Sequence, residues 1–425
     1  MLQGIQQLIF WTGTGLIGLV SLRLAIACLR SCSRWWQESR LSRQHLILLQ
    51  SQLQQSRRNF QKLGPSPAWQ GTRKFQVRKI VVESTDCRSF YLVPEDEKPL
   101  PGFMPGQYLT FQLPVPGEPR PVVRCYSLSE RPRSEWYRCT IKQEWGTEST
   151  PPGKGSSFFH QQVEEGDLLE VKAPAGQFVL DVTDPKPVVL LAAGIGITPL
   201  YSMLSTMLHH GWTEPVYLFY SVRDGSGHLY KQTLNDLAVQ HRNFKLIVNY
   251  TAAKEDDQPD IDYHFAGRLT GELILQRLPS TNFQFYLCGP GGYVSGMSEL
   301  LLSLQVPETD IHTESFGPSS RATKPRSLSE NSPSTTSSSP SSMQVNFEQS
   351  GTRHHWESDA ESLLDFAEKH GVVIDSACRA GNCGSCLTRI RSGKVKYTSP
   401  PGLQTESNEC LPCVSLPDGE LVLEA

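Results

Sequence analysis

"CRAGNCGSC" runs from Cys378 to Cys386 and places three cysteines in nine positions, spaced Cys-x4-Cys-x2-Cys. Gly381, Asn382 and Gly384 lie between them, so the loop can follow a backbone path closed to bulkier residues. Three thiols on one short loop are a metal-ligand pattern. The chain carries eleven cysteines, an odd number, and Cys87, Cys125, Cys139 and Cys288 are scattered singly. That usage favours a reducing compartment, with the clustered cysteines binding metal rather than forming disulfides.

A four-sulfur site needs one more thiol. Downstream, "ECLPCVSLP" offers Cys410 and Cys413. The spacing Cys-x4-Cys-x2-Cys followed by a distant cysteine is the plant-type [2Fe–2S] pattern. A structural zinc site usually takes two separated Cys-x2-Cys pairs, which this run matches poorly. The surrounding text reads as a small α+β module, 344–425. "VNFEQSGTRHHWES" predicts a hairpin, "ESLLDFAEKHG" a helix ended by glycine, and "LTRIRSGKVKYT" and "GELVLEA" strands.

Ahead of it, "GPSSRATKPRSLSENSPSTTSSSPSSM" has almost no apolar side chains and predicts a flexible linker over 318–343. Further upstream the chain divides again. Over 72–185, short alternating strands such as "FQVRKIVVES", "QYLTFQL" and "DLLEVKAP" are broken by Pro and Gly, which predicts an antiparallel β-barrel. Over 186–317, continuous apolar strands alternate with helices: "PVVLLAAG", "TPLYSMLSTMLHHG", "PVYLFYSV", "FKLIVNY", "FQFYLCGP". That alternation predicts an α/β domain with a parallel sheet.

The N-terminus has a different composition. Ile5 to Leu22, "IQQLIFWTGTGLIGLVSL", is uncharged and long enough for a transmembrane helix, giving an expected anchor over 1–33. Arg23, Arg30, Arg34, Arg40 and Arg43 follow it, which by the positive-inside rule puts the catalytic domains in the cytoplasm of a single-pass protein. A signal peptide would carry its positive charge first; a peripheral hairpin or a buried helix are the other readings. Lipid is the expected partner of the N-terminal helix, and a basic juxtamembrane helix and linker, lying on or rising from the bilayer or forming a short coiled coil, are expected over 34–71. The net charge of −3 argues against a nucleic-acid partner.

With these segments in order, the chain resembles the ferredoxin–NADP reductase superfamily, of the oxygenase-reductase type with a C-terminal plant-type ferredoxin domain of β-grasp fold. The resemblance spans roughly Lys74 to Ala425. "CVSLP" matches the family's fourth-ligand stretch, which implies Cys378, Cys383, Cys386 and Cys413 as the metal ligands and Cys410 as a spare thiol. "RCYS" resembles the flavin motif and implies Arg124 on the pyrophosphate, Tyr126 against the isoalloxazine and Ser127 near N5. Gly155, Ser156 and Ser157, opening a helix, take the place of the run beneath the flavin phosphates. "GIGITP" implies nicotinamide dinucleotide binding by Gly194, Gly196, Thr198 and Pro199. Cys288, Gly289 and Pro290 resemble a Cys-Gly-Pro in which the cysteine lies near the nicotinamide C4. Tyr126, Ser127 and Cys288 are thus the implied catalytic residues.

The implied activity is that of an NAD(P)H oxidoreductase. Hydride would pass from NAD(P)H to the flavin, then single electrons to the [2Fe–2S] cluster and to an acceptor protein such as a monooxygenase or dioxygenase, hydroxylase or desaturase. FAD is preferred to FMN. NADH and NADPH both stay open: Arg223, Tyr230 and Lys231 in "SVRDGSGHLYKQ" follow a strand where a 2′-phosphate could be read, and a solvated loop is the equal alternative. Two other classes fit part of the pattern: a membrane respiratory-type dehydrogenase module that reduces a quinone, and a flavin-binding sensor that turns over poorly.

Overall fold

The structure is a computed structural model and describes residues 23, 69–147, 151–182, 186–316, 343–357, 360, 362–376, 381, 384–398, 401 and 405–425. Six antiparallel strands form the first sheet: β1 (Thr72–Val82), β2 (Cys87–Pro94), β3 (Tyr108–Leu113), β4 (Val122–Ser127), β5 (Tyr137–Lys142) and β6 (Leu168–Ala175). Their order is β4-β3-β6-β1-β2-β5. The two edge strands meet through a bridge between Leu128 and Cys139, which closes the sheet into a barrel and removes its free edges. Alternation sends Phe75, Phe90 and Phe111 inward. Helix α1 (Lys154–Gln161) plugs the barrel with Phe159, whose ring lies 4.9 Å from Phe90 and 5.2 Å from both Phe111 and Tyr126. Truncating such a ring typically costs about 3–5 kcal/mol.

The second sheet is parallel, in the order β10-β9-β8-β7-β11-β12. Its strands are β7 (Val188–Ala193), β8 (Val216–Val222), β9 (Phe244–Tyr250), β10 (Phe265–Ala266), β11 (Gln284–Pro290) and β12 (Ile311–Phe316). Both faces are covered, which is why β7 reads as an unbroken apolar run. Val188, Leu190 and Ala192 join one core with Leu200 and Leu204 of α2 (Ile197–His209) and Leu234 of α3 (Lys231–Gln240). Val189 and Leu191 join the opposite core with Ile274 of α4 (Gly271–Arg277) and Leu301 of α5 (Gly291–Ser303).

The C-terminal sheet has the order β14-β13-β19-β15-β17, built from β13 (Gln344–Phe347), β14 (Thr352–His355), β15 (Thr388–Ser392), β17 (Glu409–Cys410) and β19 (Leu421–Leu423). The short strands β16 (Val395–Tyr397) and β18 (Ser415–Pro417) pair beside it. Helix α6 (Leu363–Lys369) packs Leu363, Leu364 and Phe366 onto Phe347 and Leu423 in one core. Ser362 caps it: its hydroxyl accepts from the Asp365 amide at 3.1 Å and donates to the Asp365 carboxylate at 2.7 Å.

One expectation is corrected. A spanning helix needs about 20 apolar residues, and no helix among the described residues is long and apolar enough to cross a membrane. The longest described helices, α2 and α5, have 13 residues each, and their apolar faces pack on the parallel sheet. The transmembrane helix is therefore withdrawn from the architecture. The stretch on which it was expected, like the 34–68 and 318–342 segments, lies outside the described residues.

Candidate functional site

The parallel sheet defines one half of the site by its topology. The chain runs from β7 outward through β8, β9 and β10, then returns to the other side of β7 to lay down β11 and β12. The order therefore reverses between β7 and β11, and in open α/β sheets the crevice beyond the strand ends at such a point takes the ligand. Gly194 to Gly196 form a 3-10 turn at the end of β7, and Cys288 to Pro290 end β11. Gly194 has φ +54°, in the left-handed region. Gly196 is required for another reason: a Cβ there would stand 2.2 Å from the Cys288 carbonyl oxygen and 2.7 Å from the Gly289 nitrogen. Gly289 in turn has no room for a side chain against Ala193, whose Cβ would be 2.8 Å away.

Thr198 and Pro199 follow in the first turn of α2, where proline's missing donor costs nothing. The Thr198 hydroxyl donates to the Ile195 carbonyl at 2.9 Å and so braces the turn. Cys288 is fully buried, in register with Ala192 and with Glu314 of β12. Burial, reinforced by the Glu314 carboxylate, pushes its thiol well above the usual range, so it stays neutral. It is suited to packing against a flat ring and not to nucleophilic attack.

The barrel supplies the other half. In β4, Arg124 pairs with Phe111 and Tyr126 with Leu109, so both side chains share one face. They converge on the start of α1. A Cβ on Gly155 would lie 2.6 Å from Arg124 Cγ and 2.9 Å from Tyr126 Oη. No side chain caps this helix start, which leaves its first-turn amides and the Arg124 guanidinium as a natural seat for a phosphate. Burial pushes the Tyr126 phenol well above its usual range, so it remains a neutral donor.

The side chains of Ser156 and Ser157 are turned into the neighbouring loop. The Ser156 hydroxyl donates to the Gly153 carbonyl and accepts from the Glu144 amide, both at 3.1 Å. Ser157 accepts from Gln143 Nε2 at 3.0 Å. Both hydroxyls are engaged in the loop, and the Ser157 amide donates to the Gly153 carbonyl at 2.8 Å, so the groups left for an anion are the helix-start amides before it. Ser127 lies on the opposite face of β4, buried, opposite Tyr108, with no hydrogen bond to its hydroxyl from the described residues. Sequence reasoning missed Gln143. It is 1% exposed, and its Oε1 has no partner among the described residues. An orphaned buried acceptor beside the Gly155 cradle fits a site built to hold a polar ligand. Its only signal in the sequence was a polar residue directly after the strand β5.

Arg223, Tyr230 and Lys231, expected together, are split. Arg223 is exposed. Tyr230 is buried, and its hydroxyl donates to Thr140 at 2.6 Å. Lys231 is held by Asp262 at 2.5 Å.

In the C-terminal module, Cys386 Sγ stands 3.2 Å from Cys413 Sγ, with neither in a disulfide. Two thiols held that close without a bond fit ligands of one ion. Cys386 precedes β15, and Cys413 sits on the 3-10 turn Pro412–Val414. Gly381 and Gly384 both have φ +71°, and a Cβ on Gly381 would press to 2.8 Å from Val414. Cys410 points elsewhere: it is 0% exposed in the apolar core, where burial pushes its thiol up to about 12. Cys378 and Cys383 lie outside the described residues.

Comparison with known proteins matches these three units one by one. Residues 74–180 match the oxidoreductase FAD-binding domain family, 190–299 the oxidoreductase NAD-binding domain family, and 347–418 the 2Fe-2S iron-sulfur cluster binding domain family. A flavohemoprotein of Deinococcus radiodurans is 38% identical over 256 residues, which is 60% of this chain and 62% of that protein, so the chain spans under two thirds of that relative. The flavohem-like FAD/NAD-binding domain of a nitric oxide dioxygenase from Vibrio cholerae O1 biovar El Tor is 33% identical, with a TM-score of 0.53, over 59% of this chain and 100% of that one. Phthalate dioxygenase reductase, a modular structure for electron transfer from pyridine nucleotides to [2Fe–2S], is 25% identical with a TM-score of 0.52 over 84% of this chain and 98% of that one. A flavin barrel, a dinucleotide sheet and a [2Fe–2S] module in that order make this chain a member of the ferredoxin–NADP reductase superfamily, of the type with a C-terminal plant-type ferredoxin domain.

Proposed function

We propose that the protein takes electrons from NAD(P)H and delivers them singly to an acceptor protein of the oxygenase, hydroxylase or desaturase class. One arrangement carries this reading. The Gly196 turn and the Cys288–Gly289 strand end meet at the switch point of the sheet, in a chain that also holds two thiols, Cys386 and Cys413, 3.2 Å apart. When bound, FAD accepts a hydride and gives up electrons one at a time, and the [2Fe–2S] cluster relays single electrons.

The protein's part is binding and alignment. Arg124 and the α1 amides hold the flavin phosphates. Tyr126 presents its ring and a neutral hydroxyl, and Ser127 an unengaged hydroxyl. The Gly194–Gly196 turn lets the backbone come close to the dinucleotide pyrophosphate, and Thr198 and Pro199 stiffen the turn that does so. Cys288, neutral and buried, shapes the floor for the nicotinamide. Cys378, Cys383, Cys386 and Cys413 are the thiolates that hold the cluster. No general acid or base is required. Similarity to phthalate dioxygenase reductase over 84% of the chain supports an oxygenase as acceptor.

The test is an anaerobic titration of the full-length protein with NADH and, separately, NADPH. Loss of the flavin absorbance followed by loss of the iron–sulfur absorbance is the expected result. A flavin that stays oxidised with both nucleotides would overturn the reading.

A further inference from the structure

Barrel and nucleotide sheet meet along a seam whose centre is a charged side chain that the site above does not use. Arg138 of β5 is 7% exposed. Its Nε donates to Ser129 Oγ at 3.1 Å, a second nitrogen donates to the Ser129 carbonyl, and Glu130 Oε2 lies 3.6 Å away. Those partners are all in the barrel. The guanidinium also lies among aromatic rings, the barrel's Tyr91 at 5.9 Å and two across the seam. It lies 4.9 Å from the ring of Tyr230 and 5.2 Å from the ring of Tyr201, distances at which a cation is attracted to an aromatic face. The two rings are 4.8 Å apart.

Hydrogen bonds cross the same seam on either side. The Tyr230 hydroxyl donates to Thr140, two residues along β5 from Arg138, at 2.6 Å. The Ser202 hydroxyl of α2 donates to the Glu130 carbonyl at 2.8 Å. Tyr230 itself has φ +56°, a left-handed conformation that a tyrosine keeps only when its surroundings hold it there. The clamp thus grips two segments that leave the ligand end of the sheet. Tyr201 lies one turn into α2, the helix that the Gly194–Gly196 turn opens, and Tyr230 ends the loop that leaves β8. On the barrel side, β5 is bridged through Cys139 to Leu128, directly after the flavin strand β4.

Hydride transfer demands donor and acceptor atoms about 3–3.5 Å apart and aligned, and an error near 1 Å costs about 10²-fold. We propose that Arg138 is a positioning residue for hydride transfer, clamping Tyr201 and Tyr230 so that the nicotinamide crevice is held at a fixed distance from the flavin face of the barrel. The inference rests on the reductase reading.

The experiment compares full-length wild type with Arg138→Met, Arg138→Lys and Tyr230→Phe. Stopped-flow flavin reduction separates the limiting hydride-transfer rate from the nucleotide dissociation constant, a deuterated nicotinamide gives the isotope effect, and hydrogen exchange reports opening of the 223–231 loop. Arg138→Met is expected to slow hydride transfer by about 10²-fold, with flavin content and the nucleotide dissociation constant near wild type. The isotope effect should rise, exchange in the loop should increase, and Arg138→Lys should recover part of the rate. Tyr230→Phe, which removes one hydroxyl, should fall between Arg138→Met and wild type. An unchanged limiting rate in both Arg138→Met and Tyr230→Phe overturns the proposal. So does loss of rate in Arg138→Met only in proportion to lost flavin, which marks a merely structural role. Wild type that reduces its flavin with neither nucleotide defeats the underlying reading instead.

Discussion

Gly196→Ala is the sharpest perturbation the site offers. The added methyl would stand 2.2 Å from the Cys288 carbonyl oxygen and 2.4 Å from its carbonyl carbon. Both are backbone atoms of β11, an internal strand of the parallel sheet, so no side chain can swing away. Restoring ordinary contact requires a relative shift of roughly 1 Å between the β7 turn and the end of β11. Overpacking of this kind costs about 1–3 kcal/mol of stability. The kinetic effect is larger, because the same two strand ends form the nicotinamide crevice, and a misplacement near 1 Å lowers the transfer rate by about 10²-fold. The assay is anaerobic stopped-flow reduction of the flavin at saturating nucleotide, with flavin content measured first. Gly194→Ala is the internal control. Its φ of +54° strains an alanine, but nothing lies within 4 Å of the new methyl. It should cost about 1 kcal/mol of stability and leave the rate nearer to wild type. The reasoning is refuted if Gly196→Ala, with its flavin bound, transfers hydride within about a factor of two of wild type.

Three further outcomes are expected. Cys413→Ser should abolish the iron–sulfur absorbance, while Cys410→Ala should keep it and lose stability only; the reverse pattern of iron content would reassign the fourth thiolate. Arg223→Ala should weaken NADPH by about 10-fold, the worth of one charge-assisted contact of about 1.5 kcal/mol, and leave NADH unchanged; equal weakening of both would remove Arg223 from 2′-phosphate reading. His228, buried with its Nδ1 2.9 Å from the Tyr250 hydroxyl, has its pKa pushed by burial from 6.5 down to about 4. The unfolded chain therefore binds the extra proton between those values, so stability is full above pH 6.5 and falls as pH drops toward 4. The slope from this one group is up to about 1.4 kcal/mol per pH unit. Thermal unfolding midpoints of wild type and His228→Gln across that window should converge as pH falls, and parallel curves would count against it.

What the sequence determined by itself is local in origin. Alternation with a period of two marked the barrel strands, unbroken apolar runs marked the parallel sheet, and the cysteine and glycine spacings marked the ligand loops. Each of these depends on neighbours a few positions away, so no tertiary information is needed to see it. The tertiary structure decided what depends on residues far apart in the chain. Gly196 needs its glycine because Cys288 passes against it, and Gly155 because Arg124 and Tyr126 do. Cys410 and Cys413, three positions apart, are sorted by a 3-10 turn that leaves one in the core and brings the other to Cys386. Ser156, Ser157, Tyr230 and Lys231 carry the right chemistry in the sequence, yet packing commits their side chains to Gly153, Gln143, Thr140 and Asp262. Arg138 gave no local signal at all, because its meaning lies in two tyrosines that only the docking of barrel and sheet brings within reach of its charge.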